Sequence, residues 1–494
     1  MPPPPSPTAH PDTDSDADAD ADTDAAASSA AGSGEGLAGR LHFVGIGGSG
    51  MSGLARLVAR RGARVTGSDR PPPPGETVEP ATLTAVRDAG IAVVRQQTAD
   101  SVPEDCRCVV ISAAIGPDHP EVVEARRRGL EVVKYAQMLG RLMAQPGTAG
   151  IAVAGTHGKS TTTAILCHVL LQAGRDPSFI LGAHCAQIGG GARAGQDPTL
   201  IAEACEYDRS FHNFSPRHAV ILNVEADHLD LYAGIQEIVE SFATFARRLP
   251  PDGSLLIHHE SPHRLDLTAG LRCGVQTLGF APQADWRVDV ADGRVVLTHD
   301  RRQVCTWQCP LPGDHFAYNA SAAAVLAHRL GVAWDRIGPA IAGFEGLDRR
   351  MQTLGRRDGV TVVDDYGHHP TEVDTTLRAL HQHAQPDRLI CVFQPHQHSR
   401  TRHLMDQFVV SFGAADIVVV PEIFFVRDSE KERQAVTAGD LVDRLRQQGV
   451  TAMHLHPFAA IVEQLRLMAR PGDLIVTMGA GDVWKIGRAF LDEA

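Results

Sequence analysis

The tightest constraint in this chain is the run Ile151-Ala-Val-Ala-Gly155-Thr-His-Gly158-Lys159-Ser160-Thr161-Thr162-Thr163. An apolar strand runs into a glycine turn that opens a helix, the setting in which a loop holds phosphate. Free backbone N–H groups of such a turn cradle the phosphates, Lys159 neutralises their charge, and the Ser160 hydroxyl reaches a divalent cation. Only Thr156 and His157 separate Gly155 from Gly158, two residues fewer than the usual G-x-x-x-x-G-K-[ST] spacing.

The surrounding pattern extends this reading to the whole chain. Short apolar runs alternate with helix-patterned stretches, which predicts parallel sheets with crossover helices. Strands are expected at 41–45, 63–66, 92–95 and 108–112. A second unit opens at 151–154 after the 145–150 linker and continues through 200–203 and 219–223, with a β-rich insertion over about 254–309. A third holds strands at 360–364, 388–393, 417–421 and 474–478. At 494 residues more than one core is needed. The expected fold is therefore α/β in three domains: a Rossmann-like nucleotide-binding unit over 39–147, a central P-loop unit with a mixed sheet over 148–346, and a Rossmann-like unit over 347–494. Residues 1–38 are low-complexity, lack the apolar content for a core, and read as a disordered acidic tail.

Charge supports that division. Of the net −13, eight acidic residues (Asp12, Asp14, Asp16, Asp18, Asp20, Asp22, Asp24 and Glu35) precede Arg40, the first basic residue, which leaves −5 for the rest. The body has an ordinary balance and gives no support to nucleic-acid binding. No apolar stretch has the roughly 18–20 residues of a membrane span, and no secretory signal is evident. Nine cysteines form neither a disulfide framework nor a zinc pattern, which suits reduced thiols in a cytoplasm.

A second glycine turn, Gly45-Ile-Gly47-Gly48-Ser49-Gly50, follows the first expected strand, with Asp69 at the end of the next. Such a turn lets backbone approach a diphosphate at a helix N-terminus. By itself it fits a nicotinamide dinucleotide as well as a sugar nucleotide, and an NAD-dependent oxidoreductase is one reading.

The short loop A-G-T-H-G-K-[ST]-T-T resembles the Mur ligase superfamily, whose members form amide bonds through acyl phosphates. Further motifs in the family's order carry the resemblance from Leu41 to Arg488: His42–Gly53, Glu203-Ala-Cys-Glu-Tyr-Asp-Arg-Ser-Phe211, Asn223-Val-Glu-Ala-Asp-His-Leu-Asp230, Asp364-Asp-Tyr-Gly-His-His-Pro-Thr-Glu372 and Phe393-Gln-Pro-His396. The resemblance implies ATP and Mg2+, with UDP-N-acetylmuramate and L-alanine as the joined substrates. It further implies a cytoplasmic monomer or weak homodimer that acts in cell-wall precursor synthesis. The first glycine turn would then hold the UDP-sugar, through Gly45, Gly47, Gly48, Ser49, Gly50, Ser68 and Asp69. Gly155, Thr156, His157, Gly158, Lys159, Ser160 and Thr161 would hold ATP phosphates, and His315 and Asn319 the adenine. Ser160, Glu203 and His228 would serve the metal ions. Lys159, Glu203, His228, Arg349 and Arg350 would act in catalysis.

In the third unit the resemblance assigns Tyr366, His368 and Arg400 to the amino-acid pocket. Three positions depart from the family's pattern: Phe316 stands where an Asn is usual, and Gln397 and His398 fall in a segment that usually reads P-H-R-Y-[ST]-R. Glu206 and Asp208 read as ligands or as helix-start acids. His368-His369 has no third ligand at a recognisable spacing, which argues against zinc. Gly479-Ala-Gly-Asp482 reads as a turn. A ligase of the same superfamily that recycles murein peptide onto the same sugar nucleotide is the nearest alternative, and would need a wider third-domain pocket.

Overall fold

The computed structural model describes residues 39–71, 79–426 and 428–492; the expected tail lies outside them. The described strands form three sheets. The first runs Ala92–Val94, Arg64–Ser68, Arg40–Val44, Cys106–Ile111, Glu131–Lys134, all parallel. The chain reverses direction across the sheet after the central strand Arg40–Val44, and the glycine turn sits at that switch point, where doubly wound sheets bind ligands.

The second sheet has ten strands. Ala149–Ala154 lies between His218–Ile221 and Thr199–Ala204, so the phosphate loop and Glu203 leave adjacent parallel strands at the same edge. The segment expected as a β-rich insertion is part of this sheet. Ser254–His258 and Gly274–Gly279 continue it in parallel, and only Trp286–Ala291, Arg294–His299 and Arg302–Gln308 form an antiparallel meander. Helix Lys159–Gln172 is buried almost all round and packs against Asp314–Arg329, whose alanines allow close approach.

The third sheet runs Gln352–Arg357, Val360–Asp365, Leu474–Met478, Leu389–Phe393, Ile417–Val420, Thr451–His454, antiparallel only at its first pair. The first two domains share one apolar cluster that reaches from Leu41 to Cys273. A Cβ at Gly140 would collide with the Asn213 carbonyl, so a larger residue there would push these domains apart.

Candidate active site

The phosphate loop owes its shape to two glycines and two asparagines. Gly155 and Gly158 have φ of +141° and +81°, conformations that side chains resist. A Cβ at Gly158 would lie 2.5 Å from Asn319 Oδ1, so Asn319 supports the underside of the loop. Asn223 clamps it from the side: its Oδ1 accepts from His157 N at 2.7 Å and its Nδ2 donates to His157 O at 3.2 Å. The Thr156 hydroxyl accepts from Glu225 N at 2.9 Å.

Lys159 Nζ donates to the Gly155 carbonyl at 2.5 Å and the Thr156 carbonyl at 3.0 Å, and pairs with Glu206 Oε2 at 2.9 Å. Burial alone would lower the ammonium's pKa, but the Glu206 carboxylate more than offsets it and holds the value above normal. Glu203 Oε1 accepts from Gly182 N at 2.9 Å, and burial raises its pKa. Glu206, left undecided from sequence, is therefore the partner of the loop lysine. Asp208 points to the first domain and pairs with Lys134 at 3.0 Å.

His228 has φ of +53° and lies 3.8 Å from Glu206 and from Asp227. Burial lowers its pKa, so the ring is neutral near neutrality and offers a lone pair. Arg400 is 6% exposed and its Nη2 lies 2.8 Å from Asp227 Oδ1, with Nε at 2.9 Å from the same oxygen. The guanidinium assigned to a substrate carboxylate thus already bears a protein carboxylate. Burial would raise the Asp227 pKa, yet Arg400 holds it far below the usual range.

The third domain closes the site. Arg349 is committed to Asp364 at 3.0 Å and to the Gly479 and Gly481 carbonyls, which gives the Gly479–Asp482 turn a structural role. Arg350 lies 3.5 Å from Glu372 and stacks its guanidinium 5.1 Å over the Tyr366 ring. Burial lowers the His368 pKa to about 4. Like Arg400 with Asp227, further contacts tie this domain to the second, among them His157 Nδ1 to Glu372 Oε1 at 3.2 Å, Thr371 Oγ1 to Glu225 Oε2 at 2.5 Å, and His369 Nε2 to the Ala226 carbonyl at 3.2 Å. The third neighbours that His369 lacks in sequence are supplied by the fold, as His157 and Glu225 come within 4.8 Å of it.

Lys159, Ser160, Glu203, His228, Arg349, Arg350, Tyr366, His368 and Arg400 all line one cavity of about 760 Å³. A second, about 340 Å³, joins it at His157 and Gly158 and is walled by Phe280, His315, Tyr318 and Asn319. His315 Nδ1 is buried there without a hydrogen bond among the described residues, a group suited to a ligand's polar edge. Phe316 is buried against Phe344, ring centroids 6.3 Å apart.

The first glycine turn borders a separate cavity of about 470 Å³, lined by Gly48, Ser49, Gly50, Ser112, Lys134 and Asp208. Gly45, Gly47, Ser68 and Asp69 stand behind it. Asp69 Oδ2 accepts from Gly47 N at 2.5 Å, and the Ser68 hydroxyl donates to Glu121 at 2.7 Å in a buried network with His42. These side chains shape the turn. Sequence reasoning missed Lys134, Asn223 and Glu372. The last was legible as the reciprocal partner in a helix-start capping box with His369, a His-Pro-x-Glu spacing.

A phosphate loop, acidic groups and cationic side chains from two domains around one cavity define an enzyme that transfers a nucleotide's phosphoryl group. Residues 40–146 match the Mur ligase family, catalytic domain; 153–327 match the Mur ligase middle domain; and 349–481 match the Mur ligase, glutamate ligase domain. The chain belongs to the Mur ligase family. It is 38% identical over 458 residues to the UDP-N-acetylmuramate–L-alanine ligase of Desulfitobacterium hafniense, covering 91% of this chain and 99% of that one. With the enzyme of that name from Streptomyces coelicolor it shares 40% over 461 residues, 92% and 97% of the two chains. Among solved structures, a UDP-N-acetylmuramate–alanine ligase of Thermotoga maritima shares the fold at a TM-score of 0.72 and 24% identity, covering 92% of this chain and 98% of that one. A murein peptide ligase of Psychrobacter arcticus shares it at 0.65 and 24%, with the same coverage.

Proposed function

We propose that this chain joins L-alanine to UDP-N-acetylmuramate with ATP, in the cytoplasm, as a step of cell-wall precursor synthesis. The carrying observation is the single cavity that holds phosphate loop, Glu203, His228 and the third-domain residues Arg350, Tyr366 and His368. The lactyl carboxylate oxygen attacks the γ-phosphorus, the bond to ADP breaks, and an acyl phosphate forms. The neutral amine of alanine then attacks the carbonyl carbon, loses a proton, and inorganic phosphate leaves with the former carboxylate oxygen.

Within this scheme Lys159 leaves Glu206 for the ATP phosphates, and Arg350 counters charge on the transferred group. The adenine fits beside His315 and Tyr318. The 470 Å³ cavity takes the UDP moiety, with Lys134 as its cation. Ser160 and Glu203 suit a hard cation: both are oxygen donors on one cavity wall, and burial leaves the Glu203 carboxylate in want of a counter-charge. Ser160, Glu203 and His228 would hold Mg2+, which supplies neutralisation of phosphate charge. The domains divide at 39–147, 148–346 and 347–494, and closure of the third excludes water from the acyl phosphate.

The test is phosphate release from ATP with UDP-N-acetylmuramate and each amino acid in turn. Release with L-alanine above the rest is expected. Release with L-alanyl-γ-D-glutamyl-meso-diaminopimelate but not with alanine would reassign the chain to peptide recycling. Tight NAD binding that competes with the UDP-sugar would remove the ligase reading of the first domain.

A further inference from the structure

We propose that Glu422, His454 and His456 form a site for one divalent transition-metal ion of the zinc type, at the far edge of the third-domain sheet. Strands Ile417–Val420 and Thr451–His454 pair in parallel, with Val420 opposite His454, and Leu455 N donates to the Val420 carbonyl at 3.2 Å. That register brings Glu422, two residues beyond one strand, beside the end of the other. His454 and His456 are two apart in extended chain and so share a face.

One distance matches a metal cage and the other is slightly wider, and both exceed a normal hydrogen bond. Glu422 Oε1 lies 3.3 Å from His454 Nε2 and 3.6 Å from His456 Nε2. Tetrahedral coordination with bonds of roughly 2.0–2.1 Å separates neighbouring ligand atoms by about 3.3–3.4 Å. A hydrogen bond between nitrogen and oxygen spans roughly 2.7–3.2 Å. All three ligand atoms lie within 4.8 Å of one another, and the two rings are 5.3 Å apart. His454 Nε2 is a buried atom with no hydrogen-bond partner among the described residues, although its lone pair or proton needs one. Two imidazoles with one carboxylate select zinc, cobalt, nickel or copper over magnesium. Glu422 and His456 are 61% and 60% exposed at their side chains, which leaves a path for the ion and room for water as a fourth ligand.

The other histidine–carboxylate group among the described residues, His157 with Glu225 and His369, is largely engaged at the domain junction, though His157 Nε2 is also without a hydrogen bond there. His157 Nδ1 faces Glu372, His369 Nε2 faces the Ala226 carbonyl, and Glu225 accepts from Thr371. The Glu422 site has no such competition and lies outside the catalytic cavities. It does reach them through the backbone. Gln394 Nε2 donates to the Glu422 carbonyl at 3.2 Å, and Phe424, two residues on, stacks on His396 of the cavity wall. An ion at Glu422 would therefore hold the segment that backs the amino-acid pocket.

The test uses the whole chain without a histidine tag, stripped by a chelator and saturated with Mg2+ and ADP. Calorimetric titration with Zn2+ should find one more equivalent in the wild type than in His454→Ala/His456→Ala. Co2+ should give the wild type, and not the double variant, the intense visible bands of tetrahedral coordination. Glu422→Gln should weaken the added site at least about tenfold. Both variants should keep wild-type ATP-dependent turnover with Mg2+, which shows that they are folded. Equal zinc stoichiometry and the same Co2+ spectrum in wild type and double variant would overturn the proposal.

Discussion

Lys159 Nζ stands 2.9 Å from Glu206 Oε2, so the phosphate-loop ammonium is held by a carboxylate that competes with the nucleotide for it. Glu206 is 3% exposed and cannot swing freely into solvent. Phosphate must take the lysine from a buried partner. Lys159→Ala is expected to lower kcat at least about a hundredfold while the protein stays folded. Glu206→Gln should tighten ADP binding measured without metal by roughly tenfold, about 1.4 kcal/mol of relieved repulsion. Unchanged affinity in a folded Glu206→Gln protein would show that the pair does not gate the loop.

The Asp227–Arg400 pair makes a separate prediction. Both side chains are buried, at 7% and 6% exposure. Arg400→Ala leaves a buried carboxylate without its counter-charge, a loss of about 3–5 kcal/mol. Denaturant melts should show this, and Asp227→Asn added to Arg400→Ala should recover part of it. The KM for alanine should rise in Arg400→Ala while UDP-sugar affinity stays the same. If that KM does not move, the amino-acid pocket lies elsewhere.

Alkaline pH should loosen the junction of the second and third domains. Burial pulls the His157 pKa down, but Glu372 and Glu225 together hold it up to about 10, against 6.5 for a free imidazole. A group whose folded pKa is raised contributes in full below the unfolded value and loses that contribution as pH rises to the folded one. Wild-type stability should therefore fall between about pH 6.5 and 10, and His157→Gln should show a shallower decline. Parallel profiles in the two proteins would remove His157 as the titrating group.

The tail offers a simple check. Residues 1–38 carry eight acids and, beyond alanine and proline, only Met1 and Leu37 as apolar side chains, so a chain beginning at Gly39 should match the whole protein in Tm and turnover. A markedly lower Tm on truncation would mean that the tail packs on the body.

The strands around the sites were legible because their apolar runs are buried on both faces, as in Leu389–Phe393 and Leu474–Met478. Gln352–Arg357 was missed, since this antiparallel edge strand is polar and half-exposed and shows no such run. The sequence placed Glu203 at the end of one expected strand and Lys159 in the turn after another. It could not tell that Ser68 would turn to Glu121, 53 residues away, or that Asp227 would meet Arg400 across 173 residues. Pairings of that kind depend on tertiary register and leave no local pattern. Gln397 is a further case: it is 3% exposed with φ of +68°, and its buried Nε2 has no hydrogen-bond partner among the described residues. The substitution for arginine is visible in sequence, but its burial is not.

The walls of the 340 Å³ cavity come from two domains, Phe280 and Tyr318 of the second and Thr375 and Thr376 of the third. A molecule that fills it touches both sides and acts as glue between them. If the third domain closes and opens as proposed, the affinity of that molecule would be partly a preference for the shut arrangement. For a flat heterocyclic inhibitor lodged there, residence time would be set by how often the two domains part, and improving its contacts with one wall alone would gain little.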